Sequence, residues 1–219
     1  MTSPAAATAP AAPTAHPQRT AAELLGVPPP PTNGRERIVY KAIDLFYRHG
    51  FHAVGLDRII AETGVTKTTF YKHFESKDDL VVEAITKRHE WEMHAWGRAI
   101  EARAGDDPRK QMLAVFDVLD EWFNAPDYGG CIFLNAAAEF ADPREPAHQA
   151  AALYKRQVRD NWRDTAKRAG ATDDQAETFA DRYTALIEGT LIMRHVHHKN
   201  DAARLAKPLI EALLTTYTP

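Results

Sequence analysis

The stretch that runs from Asp57 to Phe74 reads DRIIAETGVTKTTFYKHF. It predicts two short helices joined at Gly64 and Val65, because glycine takes a positive φ without a Cβ clash and a turn between crossed helices needs such a residue. In the second helix Phe70 and Phe74 lie four residues apart and point inward. The stretch therefore predicts a helix–turn–helix whose second helix turns a polar and basic face outward.

The outward face of this second helix carries the side chains that a DNA-reading helix needs. Short donors and acceptors near its N-terminus reach base edges, whereas tyrosine and lysine suit phosphate oxygens. Lys77 follows the next helix start at Ser76, where free backbone N–H groups and the helix dipole also favour a phosphate. Ordinary packing of two helices is the alternative interpretation. The outward residues are Lys67, Thr68, Tyr71, Lys72 and His73.

The segment before this stretch predicts another helix. Asn33 with Glu36 three residues later is a typical helix start, and Gly50 is a typical helix end. The apolar residues between them fall on one helical face. They are Ile38, Ala42, Leu45 and Phe46. Residues 33–80 are therefore predicted to form a three-helix domain.

The three helices and their connections resemble the DNA-binding domain of the tetracycline-repressor (TetR) family of bacterial transcriptional regulators. The resemblance is carried by AIDLF and GF within residues 42–51, by DRIIAETGV at 57–65 and by TKTTFYKHFESKDDL at 66–80. One departure is Ile60, where many members of the family have alanine. The resemblance implies a homodimer whose two recognition helices enter successive major grooves of a palindromic operator, about 34 Å apart.

The resemblance also implies which residues contact DNA. The residues that it places on base edges are Thr66, Lys67, Thr68 and His73. The residues that it places on phosphates are Gly55, Tyr71, Lys72 and Lys77, and Thr69 suits either role.

Charge is distributed unevenly along the chain. The 219 residues include 27 Lys and Arg against 30 Asp and Glu, a formal net charge of −3. Residues 33–78 carry 8 Lys and Arg against 6 Asp and Glu, whereas residues 79–219 carry 18 against 23. A mildly basic block joined to an acidic body permits a local contact with nucleic acid.

Residues 1–32 differ in composition from the rest of the chain. They contain 8 of the 14 prolines and 9 alanines, with Arg19 and Glu23 as the charged residues. Such a segment buries too little apolar surface to offset its ordering entropy, so it is predicted to be a disordered arm. The run Pro28–Pro31 is expected to act as a stiff spacer. An inert tail is the preferred interpretation, because an arm that enters a DNA groove needs more than one arginine.

Residues 81–219 predict further helices and no sheet, so the whole chain is expected to be an all-α protein of about nine helices. Their aromatic density favours a cavity for a small, largely apolar or aromatic effector, with core packing as the alternative. Asn135 and Glu139 lie four residues apart in an apolar run, so one of them needs a polar partner. The candidate effector residues are Trp91, Trp96, Phe116, Trp122, Asn135 and Glu139.

Two apolar stripes near the C-terminus exceed what one compact domain needs, and they predict a four-helix dimer interface. The stripes consist of Phe179, Tyr183, Leu186, Ile187, Leu191, Leu205, Leu209 and Leu213. The predicted partners are therefore double-stranded DNA, a small effector and a second copy of the chain.

A metal-dependent helical-bundle enzyme is the main rival function. A di-iron bundle needs two Glu-x-x-His pairs, and Glu145 with His148 is the one pair in the sequence. Cys131 has no adjacent basic residue to stabilise a thiolate, and phosphate-binding glycine loops are absent. The sequence predicts no catalytic residue, metal or cofactor. An architectural DNA-binding protein without an effector is a third interpretation, which the large aromatic-rich body disfavours.

The sequence contains no stretch near the roughly 18 apolar residues that cross a bilayer, and its N-terminus lacks the pattern of a signal peptide. No membrane partner is predicted, and the expected location is the cytoplasm.

Overall fold

The structure is a computed structural model that describes residues 19–218, and every secondary-structure element in that range is a helix. The ten helices are α1 (Ala21–Leu24), α2 (Gly34–His49), α3 (Leu56–Thr63), α4 (Lys67–Tyr71), α5 (Lys77–Ala104), α6 (Pro108–Phe123), α7 (Ile132–Glu139), α8 (Pro146–Arg168), α9 (Asp173–His195) and α10 (Ala202–Tyr217). The all-α prediction is confirmed. The sequence predicted about nine helices, and the one that it did not predict is α1.

Most helix starts are capped as the sequence predicts. The Asn33 side chain accepts a hydrogen bond from the backbone of Glu36, and Ser76 and Thr172 form capping boxes. Gly64 ends α3 in the left-handed conformation at φ 67°, which makes the predicted turn of the helix–turn–helix. Asp142 followed by Pro143 is a typical helix-start pattern, but the Asp142 carboxylate pairs with Arg144 in a turn and α8 begins only at Pro146.

The helices form a small N-terminal unit and a larger body that share α5. Helix α2 packs on α3 and α5, while α5 continues into the body against α6 and α8. Helices α8, α9, α10 and α6 pack side by side around the body core, and α7 lies against α8. The domain boundary predicted after Leu80 therefore falls inside α5, a helix that belongs to both units.

Residues 19–32, called here the N-terminal strap, are ordered against both units. Arg19 pairs with Glu121 of α6, and the backbone N–H of Ala21 donates to Asp127 at 2.5 Å. The side chains of Ala21, Leu24 and Leu25 are buried in the core. The prediction of a disordered arm is thus wrong for residues 19–32, because one amphipathic turn buries its apolar side there. Residues 1–18 of that predicted arm lie outside the described residues.

Replacing Leu25 with alanine should lower the free energy of unfolding by about 2–3 kcal/mol, because a fully buried leucine would leave a cavity. Chemical denaturation of the whole chain measures the change. Ala22→Ser, at an exposed position of the same turn, is the matched control and should change stability by less than about 0.5 kcal/mol. Equal stability of Leu25→Ala and the parent chain would contradict the packing of the strap.

Candidate nucleic-acid interface and the sites behind it

Helix α4 presents an exposed polar face because its apolar residues are anchored inward. Phe70 and Phe74 are buried, with ring centroids 5.5 Å apart. Thr66 is the N-cap: its hydroxyl accepts from the Thr69 backbone at 3.1 Å and lies 2.9 Å from the Thr69 hydroxyl. The helix ends at Tyr71, three residues before the predicted end at Phe74. The residues left exposed are Thr66, Lys67, Thr68, Tyr71, Lys72 and His73.

Positive charge on this face is available to a partner. Within residues 19–218, Lys67 and Lys72 take part in no ion pair, whereas Lys41 on α2 pairs with Glu62 at 3.1 Å. The Tyr71 side chain is 51% exposed, which is unusual for an aromatic ring that serves only packing. The face therefore combines free ammonium groups, hydroxyls and an exposed phenol, the donors that phosphates and base edges accept from.

Two of the predicted contact residues, Lys77 and Thr69, have other roles in addition. Lys77 donates from Nζ to the carbonyl of Phe51 at 2.7 Å, so part of its donor capacity holds the loop after α2. Thr69 is half-buried, and its hydroxyl interacts with Thr66 at the cap. Gly55 is exposed at the start of α3, and a Cβ placed there meets open space. Its position suits a backbone N–H contact rather than a requirement for glycine.

Glu139, at the end of α7, joins the body to the N-terminal unit. Its carboxylate accepts hydrogen bonds from the backbone N–H groups of Phe51 at 2.9 Å and His52 at 2.7 Å. A Cβ at Gly50 would lie 2.9 Å from Glu139 Oε1, and Gly50 has a φ of 82°, so glycine is required at this contact. We call this set of contacts the domain joint. Glu139 therefore has a structural partner outside any effector cavity.

A cavity of about 110 Å³ lies inside the body, among α5, α6, α8 and α9. Trp96 and Trp122 line it, with ring centroids 6.0 Å apart. The structure places the other predicted effector residues elsewhere. Phe116 is buried against Tyr183 in the core. Trp91 lies beside the prolines of the strap, and Asn135 is absent from the lining.

The body cavity also contains residues that the sequence analysis missed. Tyr154, Trp162 and Lys155 come from α8, and Glu188 comes from α9. The Trp162 indole N–H is buried without a hydrogen-bond partner among the described residues. Tyr154 stacks on Phe133 with ring centroids 3.6 Å apart. The aromatic spacing within α8 is the signal that would have identified this wall.

Cys131 lines the same cavity at the start of α7. Burial raises the pKa of its thiol, so the group stays protonated at neutral pH and behaves as a small apolar residue. Because α7 begins at this cavity and ends at the domain joint, one short helix connects the two places.

The predicted dimer stripes divide between the core and the surface. Phe179, Tyr183 and Leu191 are buried inside their own chain, and the Tyr183 hydroxyl donates to the carbonyl of Met112 at 2.6 Å. Their assignment to a dimer interface is therefore wrong, because the core of the same chain already covers them. Leu186, Ile187 and Leu213 are half-buried, while Leu205 and Leu209 are 52% and 57% exposed.

The metal-site alternative finds no support in residues 19–218. No group of three or more His, Cys, Asp or Glu side chains comes together there in a way that would hold a metal ion. His148 of the Glu-x-x-His pair donates from Nδ1 to the carbonyl of Phe140 at 2.7 Å. Among the helices in the same range, none is long and apolar enough to cross a membrane.

Changing Glu139 to glutamine should lower the free energy of unfolding by about 1–2 kcal/mol, because an amide leaves one of the two N–H groups without its charged acceptor. The amide protons of Phe51 and His52 should also exchange faster with solvent. Denaturation and hydrogen exchange measure the two effects. Glu90→Gln, which removes an exposed ion pair with Lys87, is the control and should cost less than about 0.5 kcal/mol. Unchanged exchange at both amides would refute the joint.

Comparison with known proteins places both parts of the chain in one family. Residues 38–84 match the family described as bacterial regulatory proteins, tetR family. Residues 108–210 match the tetracyclin repressor-like C-terminal domain. Together the two matches cover the helix–turn–helix and most of the body.

Individual relatives agree with this assignment. The HTH-type transcriptional regulator LmrA of Bacillus subtilis is 26% identical over 163 residues, which cover 74% of this chain and 86% of LmrA. The HTH-type transcriptional activator FasR of Mycolicibacterium smegmatis is 38% identical over 55 residues, 25% of each chain. The crystal structure of SCO4454, a TetR-family regulator from Streptomyces coelicolor, superposes with a TM-score of 0.74 at 26% identity, over 85% of this chain and 96% of that one. The chain belongs to the TetR family of DNA-binding transcriptional regulators and is not an enzyme.

Proposed function

We propose that this regulator is a homodimeric repressor that binds a palindromic operator in the cytoplasm and is released by a small, largely apolar or aromatic effector. The observation that carries the DNA-binding part is the exposed face of α4, with Lys67 and Lys72 free of ion pairs among the described residues. Thr66, Thr68 and His73 read base edges in this proposal, while Tyr71 and Lys72 contact phosphates. Lys77 contributes a phosphate contact while it holds the Phe51 carbonyl.

The dimer part of the proposal rests on two exposed stripes. On α9, Ile192 and Met193 are 39% and 36% exposed, and Val196, the C-cap that follows α9, is 56% exposed. On α10, Leu205 and Leu209 lie on successive turns and are more than half exposed. Apolar side chains that share one face of adjacent helices lose unfavourable hydration when a second copy covers them. We therefore place the interface on these exposed residues, with Leu186, Ile187 and Leu213 at its edge.

The effector part rests on the body cavity. Its walls are aromatic, and the indole N–H groups of Trp96 and Trp162 have no acceptor within residues 19–218. An aromatic molecule with a carbonyl or hydroxyl oxygen would stack on these walls and accept from those donors. Such a molecule would act on DNA binding through α7, because this helix reaches from Cys131 at the cavity to Glu139 at the domain joint. A DNA-binding protein that responds to no effector would not need a helix that connects a cavity to the domain joint.

One of the relatives activates transcription according to its name, so repression by this chain needs a test of its own. FasR is named an activator, whereas we propose repression for this chain. Release by an effector requires that the effector bind more tightly to the conformation that does not fit the operator, and the lost DNA affinity equals that difference. A reporter gene under the operator distinguishes the two directions, since deletion of a repressor raises expression and deletion of an activator lowers it.

Lys72→Ala should weaken DNA binding on every sequence and should reduce the slope of log affinity against log salt by about two per dimer, one for each lost phosphate contact. Thr68→Ala should instead relax sequence preference and leave the salt slope unchanged. Fluorescence anisotropy in a salt titration measures both slopes. Lys87→Ala removes a partly exposed lysine of α5 that pairs with Glu90, and as the charge-matched control it should leave the slope as in the parent chain. A parental slope for Lys72→Ala would contradict its phosphate contact.

Leu209→Glu should convert the dimer to a monomer, because two charged side chains would be buried against each other at the symmetric interface. Analytical ultracentrifugation measures the mass. Leu153→Glu, which changes a 45% exposed leucine on α8 outside both stripes, should remain dimeric. A Leu209→Glu variant that sediments as a dimer would exclude α10 from the interface.

A further inference from the structure

A second and larger cavity lies where the strap, α2 and α5 meet. Its volume is about 520 Å³, and we call it the junction cavity. Tyr40, Ile43 and Tyr47 of α2 form one wall, and Ala22 and Val27 of the strap form another. The loop after α6 closes the cavity with residues 127–129. The residues that line it belong to none of the walls of the body cavity, so the two cavities are distinct.

Arg88 places a positive charge in this cavity. Its side chain is 3% exposed, and its Nε donates to Glu92 at 2.5 Å. The guanidinium lies 5.2 Å from the centre of the Tyr47 ring, within the range of a cation–π interaction. Nη2 is buried and has no hydrogen-bond partner among residues 19–218. A buried guanidinium nitrogen without an acceptor is costly, so the site favours a ligand that supplies one.

Two phenols face the same space. The Tyr128 hydroxyl is buried and has no partner within the described residues. The Tyr47 hydroxyl accepts from the backbone N–H of Gly129 at 2.8 Å. Burial raises the pKa of both phenols, so each is protonated and a hydrogen-bond donor at neutral pH. The unsatisfied groups around the junction cavity are therefore donors, and they call for an acceptor.

The charged groups around the cavity are paired with one another or with neighbours, and they leave two donors free for a ligand. The lining contains the cations Lys41, Arg48 and Arg88 and the carboxylates Asp44 and Asp127. Asp44 pairs with Arg48 at 2.7 Å, and Asp127 accepts from the strap backbone. Arg88 shares its charge with Glu92, which lines the body cavity. Lys41 pairs with Glu62 at 3.1 Å. Each of the three cations therefore has a carboxylate partner. The groups left for a ligand are Arg88 Nη2 and the Tyr128 hydroxyl, two donors that one carboxylate can occupy together.

We propose that the junction cavity binds a small organic monocarboxylate. In this proposal the carboxylate accepts hydrogen bonds from Arg88 Nη2 and the Tyr128 hydroxyl, and the apolar part of the molecule packs against Ile43 and Val27. The cavity touches α2 of the DNA-binding unit and α5 of the body, so its ligand contacts both units at once. This site is separate from the proposed effector cavity and does not require that cavity to bind anything.

The test is a calorimetric titration of the full chain, without DNA, with 2-naphthoate and with its neutral matched partner 2-naphthamide. We expect saturable binding of the carboxylate and at least tenfold weaker binding of the amide, because a hydrogen bond to a charged group is worth more than one to a neutral group. Tyr128→Phe removes a hydroxyl that has no partner in the described structure, so the variant should fold normally. It should bind 2-naphthoate about tenfold more weakly.

Two further variants test whether the binding depends on the groups of the junction cavity. Thr184→Val removes another buried hydroxyl without a partner, on α9, and should leave naphthoate affinity unchanged. The double variant Arg88→Gln with Glu92→Gln keeps the pair neutral and should abolish the preference for carboxylate over amide. Lack of saturable naphthoate binding would overturn the proposal, as would equal affinity for the amide or an unaltered affinity in Tyr128→Phe. Weakening by Trp162→Phe instead would place the molecule in the body cavity and would also overturn it.

Discussion

One carboxylate, that of Glu139, ties the DNA-binding unit to the body in addition to the shared helix α5. Glu139 accepts hydrogen bonds from the backbone N–H groups of Phe51 and His52, and Lys77 donates to the carbonyl of Phe51. The loop after α2 is thereby held by two elements, one from the body and one from the start of α5. Gly50 allows the carboxylate to approach, since a Cβ there would lie 2.9 Å from Glu139 Oε1 and the φ of 82° strains any other residue. The exposed face of α4 acquires a defined position relative to the body through this joint.

Helix α7 gives the joint a physical connection to the body cavity. Its first residue follows Cys131 in the cavity wall, and its last residue is Glu139. Phe133 stacks on Tyr154, so this eight-residue helix also contacts the aromatic wall of the cavity. Packed elements of this kind move between discrete arrangements rather than deforming gradually. The junction cavity offers a second place of contact with the same interface, through α2 and Arg88.

The DNA-binding unit could be predicted from local sequence signals. The remaining parts of the fold depend on long-range packing and were harder to predict. The caps at Asn33 and Ser76 and the turn at Gly64 act within a few residues, so sequence alone located them. The strap was missed because alanine and proline dominate its average composition, although one turn around Leu25 is apolar enough to pack. The apolar stripe on α9 was assigned wrongly to a dimer interface for a different reason. A period of 3.6 residues marks a buried face without saying which chain covers it, and Tyr183 turned out to face the core of its own body. The walls of both cavities combine helices far apart in sequence, a property that no local pattern reports.

The central claim is that this chain reads a particular DNA sequence through α4. The most direct test is selection of fragments of the source genome by the purified full-length protein at moderate salt, followed by sequencing. The account predicts enrichment of one palindromic motif whose half-sites lie about one turn of the double helix apart, as two recognition helices related by a twofold axis require. Recovery of fragments without any shared motif would contradict it, because the exposed face of α4 would then be a basic surface rather than a reader of sequence.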